Sequence, residues 1–251
     1  MKQFSSHLSS LIVVILLCPV AKAQQTMGRW TLGATVPFGK IQVCPTSESG
    51  QRMGIDIDNS TFSGFCVGGL TEADVQGRGE YVTLMPDKSG KNVHLLKQTE
   101  QAEPGYYSIG LSNGTWLTAT ATACMTAERF SFPDVSKAVL LVSRKSDFEQ
   151  KTLTMGQGMA ECAEGNGGGR RLLHYRLYAS TPFVQNITAD GHKRLTFPEL
   201  TGRWVEVRIV VADSANELEA MTEEEVWQTG LPSMIENAKS QWDEVLAGRG
   251  E

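Results

Sequence analysis

From Trp30 to about Val211 apolar and polar positions alternate in short runs broken by Gly, Pro and Asn, whereas after Val211 apolar positions recur every three or four residues. The first texture predicts strands and the second predicts helices. The stretch 115–123 is rich in threonine and alternates polar with apolar in its second half, as a half-buried strand does. Segments 81–85, 106–111, 138–142, 174–179 and 204–211 read likewise. Asn113-Gly114 stands between two of these strands and predicts a hairpin with a type I′ turn, which needs positive φ at both central residues. Ser214-x-x-Glu217 and Thr222-x-x-Glu225 have capping-box form, so each opens a helix. Ile235, Ala238, Trp242, Val245 and Leu246 then make one apolar stripe on a final helix, which must pack back on the sheet or find a partner domain. Short strands at this density predict an all-β fold, a large antiparallel β-sandwich with C-terminal linker helices.

Residues 1–23 read as a secretory signal: Lys2 supplies the positive region, Leu8 to Leu17 the apolar region, and Ala21-Lys22-Ala23 an A-x-A cleavage site. The apolar run has only about half the length of a spanning helix. Cys18 would be the acylated residue of a lipoprotein, but the bulky Leu17 before it does not suit that processing site. The expected location is therefore periplasmic or secreted, with no membrane association after signal cleavage. The formal charge of −5 provides no basic footprint for nucleic acid. Cys44, Cys66, Cys124 and Cys162 remain after processing, with no C-x-x-C pair among them. They are buried small residues or form one to two disulfides, and three full pairings stay open.

Candidate chemistry in the residues themselves is sparse. His94, His174 and His192 form no i, i+4 pair that would hold zinc on a helix. Ser112 and Ser143 lack the G-x-S-x-G context of an acyl-transfer nucleophile. Residues 164–169 are a Gly-rich loop without the order of a phosphate-binding loop, and Asp56-x-Asp58-Asn59 lacks the Gly and distal Glu of a calcium loop. Trp30, Trp116, Trp204 and Tyr178 would stack on sugar rings if exposed, although strand aromatics face the core by default. Three Asn-x-Ser/Thr triplets, at Asn59, Asn113 and Asn186, carry no assignment.

The stretch Gly33-Ala34-Thr35-Val36-Pro37-Phe38-Gly39-Lys40-Ile41-Gln42-Val43 resembles the opening signature of glycoside hydrolase family 92, the exo-acting α-mannosidases. Further segments agree in order and spacing. Gly64-Phe65, Leu84-Met85-Pro86, Glu103-Pro104-Gly105-Tyr106-Tyr107, Leu117-Thr118-Ala119-Thr120 and Arg129-Phe130-Ser131-Phe132-Pro133 each resemble a family segment. Val207 to Val211, Asn216 to Glu219 and Trp242 to Leu246 look like the family's last strand and linker helices. The resemblance implies a supersandwich-like N-terminal domain over 24–212 and a helical linker or tail over 213–251. It also implies that the family's (α/α)-barrel, which holds its catalytic acid and base, begins about where residue 251 lies.

Two departures bear on sugar recognition. Where the family has Ser-His-x-His-Leu-Ser-Gly, this chain has Cys66-Val67-Gly68-Gly69-Leu70-Thr71-Glu72, and Ile55 and Ile57 stand where the family has tyrosines. Asp56, Asp58, Glu72, Asp74 and Glu80 lie in the region that corresponds to the family's interface loops, and nothing in their spacing singles out the pair of carboxyl groups an inverting glycosidase needs. The resemblance therefore implies an exported domain with no catalytic residues and no metal of its own. Its expected role is carbohydrate-related binding or scaffolding, either with a separately encoded helical-barrel chain, where calcium would serve the joint site, or as a stand-alone module for mannose-containing glycans. A remnant of a truncated gene is the third reading. The substrate-binding residues expected from the same comparison are Phe65, Glu72 and Asp74.

Overall fold

The computed structural model describes residues 34–47, 62–69, 80–87, 92–142, 147–150, 154–163 and 170–248. The signal segment, Trp30, Ile55 to Asn59, Glu72, Asp74, Ser143 and the loop 164–169 lie outside the described residues. In chain order the strands are β1 (Ala34–Thr35), β2 (Ile41–Ser47), β3 (Phe62–Gly69), β4 (Glu80–Pro86), β5 (Leu95–Glu103), β6 (Tyr106–Leu111), β7 (Trp116–Ala121) and β8 (Met125–Ser131). They continue as β9 (Val139–Val142), β10 (Asp147–Gln150), β11 (Met155–Ala163), β12 (Arg170–Ala179), β13 (Val184–Ile187), β14 (Lys193–Thr196) and β15 (Trp204–Ala212). Three helices follow, α1 (Ala215–Ala220), α2 (Glu223–Trp227) and α3 (Leu231–Ala247).

The strands form a seven-stranded sheet in the order β1-β2-β3-β4-β9-β14-β13 and an eight-stranded sheet in the order β10-β11-β12-β15-β8-β7-β6-β5. Each strand pair described is antiparallel, so the expected all-β sandwich with C-terminal helices is the fold observed. The core lies between the sheets. Alternate residues of β15, namely Val205, Val207, Ile209 and Val211, meet Phe62, Phe65, Val67 and Val82 of the other sheet in one cluster. This is the period-2 consequence of the pleat.

The Asn113-Gly114 hairpin pairs β6 with β7, Ile109 opposite Leu117, as expected. Its turn differs from expectation. Only Gly114 has positive φ (85°), the Gly114 amide donates to the Leu111 carbonyl at 2.9 Å, and Leu111 N–H donates to Thr115 O at 2.8 Å. That is a three-residue loop, a type I turn followed by a left-handed glycine. The Asn113 side chain accepts from the Thr115 amide at 3.0 Å, a bond that suits ordinary negative φ at the asparagine.

The helices lie on the outer face of the eight-stranded sheet and decide which of its residues see water. Thr222 and Glu225 make the full capping box at α2, while Ser214 caps α1 and Glu217 reaches past it to the Asp213 amide. Leu218 and Val226 cover Tyr178 and Val210, and Leu231 and Met234 cover Ala127. Between these apolar contacts sits a guanidinium anchor. Arg208, 2% exposed, donates to the Val226 carbonyl and, through Nε at 2.9 Å and Nη2 at 2.6 Å, to Glu206 Oε1; it also lies 4.4 Å from the Trp227 ring. Arg176 ties down the neighbouring turn through Glu219 at 2.9 Å and the Met221 carbonyl at 3.3 Å.

The apolar stripe of α3 thus has a surface within this chain. Ala238 is buried against Gly105, Lys239 bonds Glu103 at 2.5 Å, and the Trp242 indole N–H donates to Thr35 O at 2.8 Å. The stripe packs back on the sandwich, and it gives no support to the idea that it waits for a partner domain. Leu246 near the helix end stays 51% exposed.

Candidate functional site

Of the three residues expected to bind substrate, Phe65 is the one described. It stands on β3 with no exposure, its ring centroid 4.7 Å from that of Phe62 and 5.8 Å from that of Phe130. Its place there is in the packed core. Glu72 and Asp74 lie outside the described residues, so no constellation of the three can be drawn. Val67 is buried in the same core, so this strand contributes apolar bulk where the family pattern has a histidine.

The cysteines are placed unevenly. Cys44 of β2 and Cys66 of β3 are buried register partners, and Cys124 is half-buried in the turn between β7 and β8. The Cys66 thiol donates to the Val67 carbonyl at 3.4 Å, and none of the three is joined in a disulfide. Among the described residues no three or more of His, Cys, Asp and Glu gather as a metal site. His94 is exposed at the start of β5, and His192 lies 3.7 Å from Asp190, so the histidines remain separate.

Two surfaces carry features that packing does not explain. The first is the turn between β1 and β2. Phe38 is 90% exposed and has φ +58°, a left-handed conformation that costs a non-glycine residue roughly 1–2 kcal/mol. The turn is held on both sides: Gly39 N–H donates to Val36 O at 3.1 Å, Lys40 N–H to Ala123 O at 3.0 Å, and Lys40 Nζ pairs with Asp213 at 3.3 Å. A large apolar ring is therefore presented to solvent on a strained but fastened backbone. Such strain persists where the surroundings over-determine it, and it is characteristic of binding and switch positions.

The second surface is the part of the eight-stranded sheet that the helices leave open. Register places Gly110, Trp116, Ser131 and Trp204 in one row across β6, β7, β8 and β15, with Ser108, Thr118, Arg129 and Glu206 in the row behind it. The next row, Thr120, Ala127 and Arg208, is already under helix. Trp116 is 38% and Trp204 43% exposed. Each ring is backed by protein. A side chain at Gly110 would meet the Trp116 ring at 2.9 Å, so the indole lies against bare backbone there, and its N–H donates to Ser108 Oγ at 2.6 Å. The Arg129 guanidinium lies 4.4 Å from the Trp204 ring and is fixed by Glu206 Oε2 at 2.9 Å.

Sequence reasoning placed strand aromatics in the core by default, and for these two the outcome is different. The signal was present in the alternation itself. With Val205, Val207 and Ile209 facing inward, Trp204 shares parity with Glu206 and Arg208; Trp116 likewise shares parity with Thr118 and Thr120. Tyr178 also lies on the outer face, but there the helices bury it.

Comparison with known proteins adds ancestry to this geometry. The Glycosyl hydrolase family 92 N-terminal domain matches residues 21–196. Among solved structures, the family GH92 alpha-mannosidase of Bacteroides thetaiotaomicron is 17% identical, with 86% of this chain and 36% of that chain covered and a TM-score of 0.69. The GH92 family glycosyl hydrolase ccman5 is 17% identical, with 88% and 35% covered and a TM-score of 0.69. The family GH92 inverting mannosidase of Bacteroides thetaiotaomicron VPI-5482 is 18% identical, with 87% and 33% covered and a TM-score of 0.70. The chain thus spans about a third of the length of these enzymes, and the likeness concerns the fold. Among curated protein sequences, none matches.

Proposed function

Because this chain belongs to the Glycosyl hydrolase family 92 N-terminal domain family, we propose that it is an exported, non-catalytic, carbohydrate-associated domain that seats a helical-barrel catalytic half carried on a separate chain. The observation that carries this reading is Phe38, 90% exposed at φ +58° on a fastened turn. A buried phenylalanine stabilises by about 1.5–3 kcal/mol relative to an exposed one. A ring held in water at a conformational cost therefore has its energetic return in association. Calcium would belong to the joint site made with the catalytic half and not to this chain alone.

The test is release of mannose from an α-mannoside with calcium present, by the purified chain alone and mixed with a barrel-type chain. Activity is expected only from the mixture. Activity of the chain alone would refute the non-catalytic reading, and silence of a mixture that also forms no complex would refute assembly. Phe38→Gly sharpens this. It removes the ring and relaxes the left-handed strain, so thermal stability should rise by about 1 kcal/mol while complex formation falls at least tenfold. A variant that is less stable, or that assembles unchanged, would remove Phe38 from this role.

A further inference from the structure

We propose that the open row Gly110-Trp116-Ser131-Trp204 is a binding platform for an uncharged oligosaccharide, distinct from the Phe38 turn; this rests on the carbohydrate-associated reading above.

Three properties of the row support it. The indoles are held before any ligand arrives: Trp116 lies on Gly110 with its N–H fixed by Ser108, and Trp204 lies against Arg129, itself fixed by Glu206. Rings already fixed lose little further entropy on binding. One face of each indole is taken by protein and the other contributes to an exposure of 38% and 43%, so each offers a flat apolar surface of the kind the C–H face of a pyranose covers. Between them stand neutral hydrogen-bonding groups, the hydroxyls of Ser131 and Thr118, at half-buried positions.

Spacing and charge select the ligand. Trp116 and Trp204 stand on strands with β8 between them, and the Trp116 ring extends outward over β6. Two to three strand spacings are about 10–15 Å. A single sugar cannot cover both rings, so the ligand is a chain of linked sugars. Nucleic acid bases also stack on aromatic rows, but strand binding needs a basic groove. Here the net charge is −5, and the one cation in the open rows, Arg129, is matched by Glu206 at 2.9 Å. Polyuronates and nucleic acids are disfavoured by the same argument, and a neutral glycan is accepted.

The experiment is titration of the purified full chain with mannose, with a mannan-derived oligosaccharide, with a neutral β-glucan oligosaccharide and with an oligouronate, followed by calorimetry and by tryptophan fluorescence. Binding of a neutral oligosaccharide at least tenfold tighter than mannose is expected, with no binding of the oligouronate. Trp116→Ala and Trp204→Ala should each weaken it at least tenfold, and Trp116→Phe and Trp204→Phe should keep most of it, since stacking survives without the indole N–H. Circular dichroism of the variants separates lost binding from lost fold. No binding of any neutral oligosaccharide, equal affinity for mannose, or unchanged affinity in the double alanine variant would overturn the proposal. Mannose release by the mixture with a barrel-type chain reports on assembly independently, so the platform and the assembly can fail separately.

Discussion

Glu128 of β8 faces the core between Ala119 and Val207, with no exposure. Neither of its carboxyl oxygens, nor the Thr126 hydroxyl on the same face, has a hydrogen-bond partner among the described residues. Burial pushes its pKa up to about 8 from an ordinary 4.5. The unfolded chain therefore ionises this carboxyl from about pH 4.5 while the folded chain holds it neutral. The sign follows: stability is greatest below that pH and falls as pH rises towards 8. At pH 7 the loss is on the order of 3 kcal/mol. Glu128→Gln should flatten this slope, so that denaturation midpoints at pH 4.5 and pH 7.5 differ less than in the parent chain; an unchanged pH slope would mean that the carboxyl is paired or hydrated. The sequence showed a glutamate outside the segments that read as strands, and only the pairing of β8 and the opposed sheet made it a buried acid. Tyr107 is a second buried acid, its hydroxyl donating to Glu100 at 2.8 Å and, by burial first, held well above the usual phenol range.

At the scale of elements, the close approach of α3 to the β5–β6 turn depends on Gly105. Its φ is +77°, and a Cβ there would lie 2.7 Å from Ala238 Cβ and 2.9 Å from the Ala238 carbonyl carbon. Both the turn and the helix contact require glycine. Gly105→Val should destabilise the chain by about 2 kcal/mol or more and lift α3, which a red shift of Trp242 emission would report as its bond to Thr35 is lost. A valine variant with parental stability and emission would place the helix elsewhere. Glu103 to Tyr107 was legible as a segment resembling the family, yet nothing local announced that the helix beginning at Leu231 would lie on it. The strand β5 shows the opposite limit. Leu95–Glu103 is polar along most of its length and has no alternation to mark it, because it is the edge of its sheet and its register shifts between Leu96 and Gln101. A charged, bulged edge is a defence against pairing with other chains, and it erases the pattern that identifies central strands.

For the molecule as a whole, the helices and the sandwich share one compact unit, Thr31–Glu251. Leu218, Val226, Leu231 and Met234 are all at least 95% buried there, each contributing about 1.5–3 kcal/mol. A chain ending at residue 212 should therefore lose about 10 °C or more of melting midpoint, at about 2–4 °C per kcal/mol, and should expose Arg208 without its Val226 and Trp227 partners. An unchanged midpoint would show that 213–251 is an independent tail. What the sequence by itself determined is the class of fold, the strands β4, β6, β7, β9, β12 and β15, the hairpin at Asn113-Gly114, the helix starts at Ser214 and Thr222, and the family, because alternation, turn chemistry and capping act between neighbours along the chain. What only the tertiary structure decided is which outward-facing row each helix covers: Arg208 and Tyr178 fall beneath α1 and α2, while Trp116 and Trp204, on the same face of the same sheet, remain in water. Parity along a strand assigns a residue to a face, but the covering of that face is set by packing between segments distant in sequence, which no local pattern encodes.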